Sequence, residues 1–149
     1  MNRRLNSWSA FMVLMLATGT VAAAKWVKWD TSRDEMDRVH AIKYFDADSV
    51  RRTGDIVRIS FLIDFRKPQT GGNSRGPKSK SWVWEKEYDC RKRLHRYVRV
   101  AHHDGQMARG AARFDKAADS EFPKMSKWST VESYDDSDLP PFKLACSRR

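Results

Sequence analysis

His102 and His103 stand side by side, with Asp104 next and Met107 four residues on, and no other stretch gathers metal- or haem-ligating side chains so densely. A bound ion or haem iron needs such side chains to converge. Consecutive strand residues point to opposite faces, so the two imidazoles meet only where the backbone bends. Gly105 can supply that bend; with a straight backbone the pair is a polar strand end. His40 and His95 are isolated and join a site only through the fold.

The second chemistry open to this chain is electrostatic. Arg66 and Lys67, then Arg75, Lys78 and Lys80, surround Gly71-Gly72-Asn73-Ser74, and Arg91-Lys92-Arg93 follows one strand later. The two groups bracket that strand and belong at its opposite ends. A basic loop suits salt-sensitive capture of sulfated or phosphorylated polymers, and it is equally what a solvated loop without a ligand looks like. Nucleic-acid binding would want aromatic rings exposed among the cations. Trp82 and Trp84 lie near the loop, but they share the face of Cys90 and read as core beneath a C-terminal helix. Nucleic acid is therefore not an expected partner.

Enzyme chemistry finds no handle. The chain has no Gly-rich phosphate loop, no Gly-x-Ser-x-Gly elbow and no zinc-type ligand spacing. The acidic pairs Glu85 with Glu87 and Asp135 with Asp136 read as solvated, and no cofactor is expected.

The amino terminus sets the compartment. Arg3 and Arg4 precede an apolar run from Leu5 to Leu16, broken only by Asn6, Ser7 and Ser9, and Ala22-Ala23-Ala24 offers a peptidase site. Residues 1–24 thus form a secretory signal of bacterial type, with a run too short for a good membrane anchor. Cleavage after Ala24, or one residue earlier, leaves a mature domain over residues 25–149 without a stable membrane span. It removes two arginines and no acidic residue, so a net charge of +10 becomes +8. A basic exported domain meets anionic envelope or host surfaces and acidic proteins.

Export also governs Cys90 and Cys146, the only two cysteines. In an oxidising compartment they are the single possible intramolecular pair, closing a loop of about 57 residues, a constraint worth roughly 4 kcal/mol in the chain-entropy model. A catalytic thiol would need a neighbouring base and some exposure.

Strands dominate the pattern that positions these groups. From Asp55 to Lys67, Val57, Ile59, Phe61, Ile63 and Phe65 alternate with Arg58, Ser60, Asp64 and Arg66, while Ile56 and Leu62 join the polar row. Lys80 to Cys90 places Trp82, Trp84, Lys86, Tyr88 and Cys90 on one face. Arg93 to His103 sets Leu94, Val98, Val100 and His102 against His95, Tyr97, Arg99 and Ala101. Shorter strands are predicted at Lys25–Trp29, Val39–Phe45 and near Met107–Phe114, with one helical turn over Ala47–Arg51. Ser137 or Asp138 can cap a short helix to Cys146, with Leu139 and Pro140 in its first turn. The disulfide then ties that helix to the Lys80–Cys90 strand.

The chain resembles the surface-adhesin protein E family of exported bacterial domains. The resemblance rests on Tyr44-Phe45-Asp46-Ala47-Asp48-Ser49-Val50-Arg51-Arg52 with Gly54, and on Asp64-Phe65-Arg66-Lys67-Pro68-Gln69. Glu87-Tyr88-Asp89-Cys90-Arg91 with Arg93, then Trp128 and Cys146, extend it over most of the mature chain. It implies an α+β, mainly β fold: a curved antiparallel sheet of about six strands with a short C-terminal helix tethered by Cys90 and Cys146. It also implies attachment to host matrix or serum proteins, and haem binding has been associated with the family.

The expected function is a non-enzymatic exported interaction domain for a protein or polyanionic partner. Its candidate contact residues are Arg66, Lys67, Arg75, Lys78, Lys80, Arg91, Lys92 and Arg93. The alternatives are a periplasmic carrier holding haem or a hydrophobic molecule between sheet and helix, or an envelope structural protein. With no cysteine before Cys90 to lipidate, the periplasm is the first expected location, ahead of the cell surface or the extracellular space.

Overall fold

The structure is a computed structural model that describes residues 24–70, 77–116, 123–131 and 139–147. Residues 1–23 of the signal segment, Arg75, the Gly71–Ser74 stretch, the Asp135-Asp136 pair and the candidate caps Ser137 and Asp138 lie outside the described residues.

Period-two patterning becomes a single antiparallel meander. β1 (Trp26–Arg33), β2 (Val39–Thr53), β3 (Ile56–Gln69), β4 (Ser79–Asp89), β5 (Leu94–His103) and β6 (Ala112–Lys116) lie in the order of the chain. A two-residue β7 (Ser129–Thr130) adds to the free edge of β5. From β1 to β6 each neighbour is also the next strand in sequence, as short connections demand. Gly54, at φ 60°, makes the tight β2–β3 turn, where a side chain would be strained.

β3 shows the alternation most clearly. Val57, Ile59, Phe61 and Phe65 are buried on one face, and Leu62 is buried on the other. Trp84, Lys86 and Tyr88 of β4 join the first row. Lys86 is 1% exposed, with its ammonium over the rings of Tyr97, Phe61 and Tyr88 at 4.3, 5.6 and 5.6 Å. Such contacts offset part of the cost of burying a charge.

Two predicted details are corrected. The stretch Ala47–Arg51 is not a helical turn; β2 runs through it with a bulge between Asp46 and Arg51. The Asp46 carboxylate accepts from the Asp48 N–H, and the Ser49 hydroxyl accepts from the Ser60 N–H across the sheet. Side chains replace the missing ladder bonds, so the extra residues stay in the strand.

The strict alternation drawn for β5 also fails. Lys86 pairs with Tyr97 but Glu85 pairs with Arg99, so Val98 is an extra residue. A bulge reverses the parity beyond it. His95 and Tyr97 therefore share the core face with Val100 and His102, while Arg96 and Arg99 share the outer one.

The C-terminal helix α1 (Leu139–Ser147) packs Phe142 and Ala145 onto the core, with Phe142 edge-on to Tyr88 at 5.5 Å. Tyr88 is thus the ring beneath the helix. Trp84 packs instead on Tyr97, and Trp82 on Phe65 and His102. Nine residues are too few to hold a helix alone. The Cys90–Cys146 disulfide ties α1 to the end of β4. Arg52 donates to the Ala145 and Cys146 carbonyls at 3.4 and 3.3 Å, satisfying helix-end acceptors with a cation where the helix dipole favours one.

The opposite face is partly roofed by residues 104–110. Fully buried Ser81 donates to the Gly105 carbonyl at 2.7 Å and accepts from the Ala108 N–H at 3.0 Å. Asp64 accepts from the Met107 N–H at 2.7 Å. Ser81→Ala is expected to cost about 2 kcal/mol, because both backbone groups lose their partner. Faster amide exchange at Ala108 with a lowered melting temperature would show it; unchanged values would mean that the loop holds itself.

Candidate interaction surface

The outer face of the sheet, away from α1, carries the densest arrangement of charge. Register places Arg58, Glu87 and Arg96 in one row across β3, β4 and β5, and Ser60, Glu85 and Arg99 in the next. Arg58 reaches Glu87 Oε1 through Nη2 at 2.6 Å and Nε at 3.2 Å. Arg96 reaches Glu87 Oε2 through Nη2 at 2.7 Å and Nε at 2.8 Å. Arg99 Nη2 lies 2.7 Å from Glu85 Oε1, and Arg58 Nη1 lies 4.0 Å from Glu85 Oε2.

Aromatic rings flank both rows. Trp128 stacks on the Arg96 guanidinium at 4.6 Å and Phe114 on that of Arg99 at 5.1 Å. Both are exposed, Trp128 by 37% and Phe114 by 59%. Two adjoining shallow grooves result. One, of about 670 Å³, is lined by Arg58, Glu85, Arg96, Arg99 and Ser126; the other, of about 570 Å³, by Arg51, Ile56, Arg58, Glu87, Arg96 and Trp128.

The Glu87 side chain is only 8% exposed, so the solvated role read for it from sequence is wrong. Burial by itself would raise its pKa. The hydrogen bonds and charges of Arg58 and Arg96 outweigh that and hold the carboxyl below its usual range. Ionised Glu87 in turn fixes both guanidinium planes. The three arginine side chains remain 39–49% exposed, which leaves N–H donors facing solvent.

The predicted basic groups are spread out. Arg66 and Lys67 are exposed at the end of β3, and Lys78 and Lys80 around the start of β4. Arg91, Lys92 and Arg93 occupy the β4–β5 turn, roughly 35 Å away along β4. Arg91 pairs with Asp55 at 3.4 Å, and Arg93 lies over the Phe142 ring. The two groups do not form one site.

His102 lies on the core face against Trp82, with ring centroids 5.2 Å apart, and His103 points to the other face. Burial holds the His103 imidazole below its usual pKa, against a smaller opposing effect of Asp104. Among the described residues no group of three or more His, Cys, Asp or Glu side chains gathers as a metal site would require. The space between sheet and helix is filled by Tyr88, Phe142, Ala145 and Val131.

A one-sheet antiparallel meander with a disulfide-tied helix thus presents a grooved, charged outer face. Residues 26–146 match the family model described as Surface-adhesin protein E, and the chain belongs to that family. Its fold is shared with Haemophilus influenzae protein E. One crystal form of that protein is 18% identical, with 81% of this chain and 96% of that one covered and a TM-score of 0.51. Its selenomethionine form is 17% identical, with 81% and 95% covered and the same TM-score. No curated protein matches the sequence.

Proposed function

We propose that the domain over residues 25–149, freed of a signal at 1–24, is an exported, non-enzymatic binding module that docks an anionic partner on its outer face. An adhesin family suggests a host or other protein partner, and the resemblance noted in the sequence implies that host matrix or serum proteins are that class. One observation carries the reading: Arg58, Arg96 and Arg99 are aimed by Glu85 and Glu87 and still keep donors toward solvent. Arg66, Lys67, Lys78, Lys80, Arg91, Lys92 and Arg93 then act at a distance, steering the partner without forming the contact. The carrier alternative has less support, because side chains occupy the sheet–helix interface.

The test applies purified domain to immobilised matrix and serum proteins at rising salt. Binding is expected to weaken as salt rises, and Arg51→Glu with Arg99→Glu to weaken it at least about tenfold. Salt-independent binding, or binding indifferent to both substitutions, overturns the assignment to this face. Protease treatment of intact cells supplies the location: digestion marks surface display, protection marks the periplasm.

A further inference from the structure

We infer that the outer face recognises an acidic polysaccharide, a sugar polymer bearing carboxylate or sulfate groups. This rests on the preceding reading that the outer face is the binding surface. The surface repeats one motif twice along β5: carboxylate, guanidinium, aromatic ring. Glu87, Arg96 and Trp128 form the first set, Glu85, Arg99 and Phe114 the second, and Arg58 bridges the two carboxylates.

Each component matches a part of an acidic sugar. The exposed N–H groups of Arg58, Arg96 and Arg99 donate to carboxylate or sulfate oxygens. The exposed rings of Trp128 and Phe114 offer an electron-rich face to the C–H face of a pyranose. The Glu85 side chain, 24% exposed, accepts from sugar hydroxyls. That acceptor separates the ligand classes. A polyphosphate or nucleic-acid backbone presents acceptor oxygens, so Glu85 repels it, whereas a polyhydroxylated chain brings donors as well as anions.

The experiment titrates the domain over residues 25–149 with heparin oligosaccharide, hyaluronan oligosaccharide, neutral dextran, single-stranded DNA and inorganic polyphosphate, reading tryptophan fluorescence and heat. Heparin or hyaluronan is expected to bind and dextran not to; which of the two binds more tightly tells sulfate from carboxylate. Trp128→Ala is expected to lower the affinity about fivefold. Glu85→Gln should weaken glycan binding while strengthening any residual polyphosphate binding. Trp128 and Phe114 are exposed, so their alanine variants are expected to fold, and circular dichroism checks this.

DNA or polyphosphate binding as tight as the glycan, or glycan binding unchanged in both variants, overturns the inference. Absence of glycan binding overturns it too. If Arg51→Glu with Arg99→Glu still abolishes attachment to host proteins in that case, the binding face stands and only its ligand class falls.

Discussion

Replacing Cys90 and Cys146 together with alanine is expected to cost about 4 kcal/mol of folding stability, the value for a loop of this length in the chain-entropy model. The loop spans β5, β6, β7 and almost all of α1, so its release gives the unfolded chain many more states. The folded state also suffers. With the tether gone, a nine-residue helix is left with its Phe142 and Ala145 packing and the Arg52 contacts. Detachment would expose Tyr88, which is otherwise fully buried. A loss of this size corresponds to a fall of roughly 10–20 °C in melting temperature for a domain of this length. Thermal unfolding of the double variant beside the oxidised wild type measures it. A difference under about 2 °C would mean that helix docking and the sheet carry the stability unaided.

The second large effect lies on the outer face. Arg58→Met with Arg96→Met leaves the Glu87 carboxylate buried without a cation, which is expected to cost about 3 kcal/mol. Adding Glu87→Leu removes the stranded charge and is expected to recover most of that loss. Recovery is the informative arm, since it separates desolvated charge from lost packing. The pH dependence follows from the same group. In the folded wild type Glu87 titrates below its unfolded value, so its contribution is complete above the unfolded pKa and is lost as pH falls through the folded one. In the Met pair the buried carboxyl favours its protonated form instead. The stability gap between the two proteins should therefore narrow on acidification, as denaturant melts at a series of pH values would show. A gap constant with pH would mean that Glu87 does not depend on its arginines.

Much of the scaffold was legible in the sequence. The row Val57, Ile59, Phe61, Ile63 and Phe65 identifies a half-buried strand by alternation alone, and Trp82, Trp84, Lys86 and Tyr88 identify its neighbour. Even Lys86, a charge placed in the core, followed from parity. The C-terminal helix followed from capping residues and proline placement in its first turn.

The outer-face site was not legible. Glu85 and Glu87 looked solvated because nothing local to β4 reveals that Arg58 and Arg96 stand directly across from Glu87. Arg96 and Arg99 are three apart, an odd spacing that normally puts strand residues on opposite faces. The only available sign was the lone Val98 between Tyr97 and Arg99, and a bulge leaves no reliable mark on composition. Asp46 to Arg51 misled in the same way, since Asp and Ser favour turns unless a neighbouring strand recruits them.

The sequence by itself determined the alternation of β3 and β4, the disulfide partners and the basic character of this domain, because each depends on residue type and spacing along one chain. The tertiary structure alone decided which charges meet. Cross-strand register and the bulge at Val98 bring Arg58, Glu87, Arg96 and Trp128 together, and pairing of that kind is set by hydrogen bonds between strands and not by spacing within one.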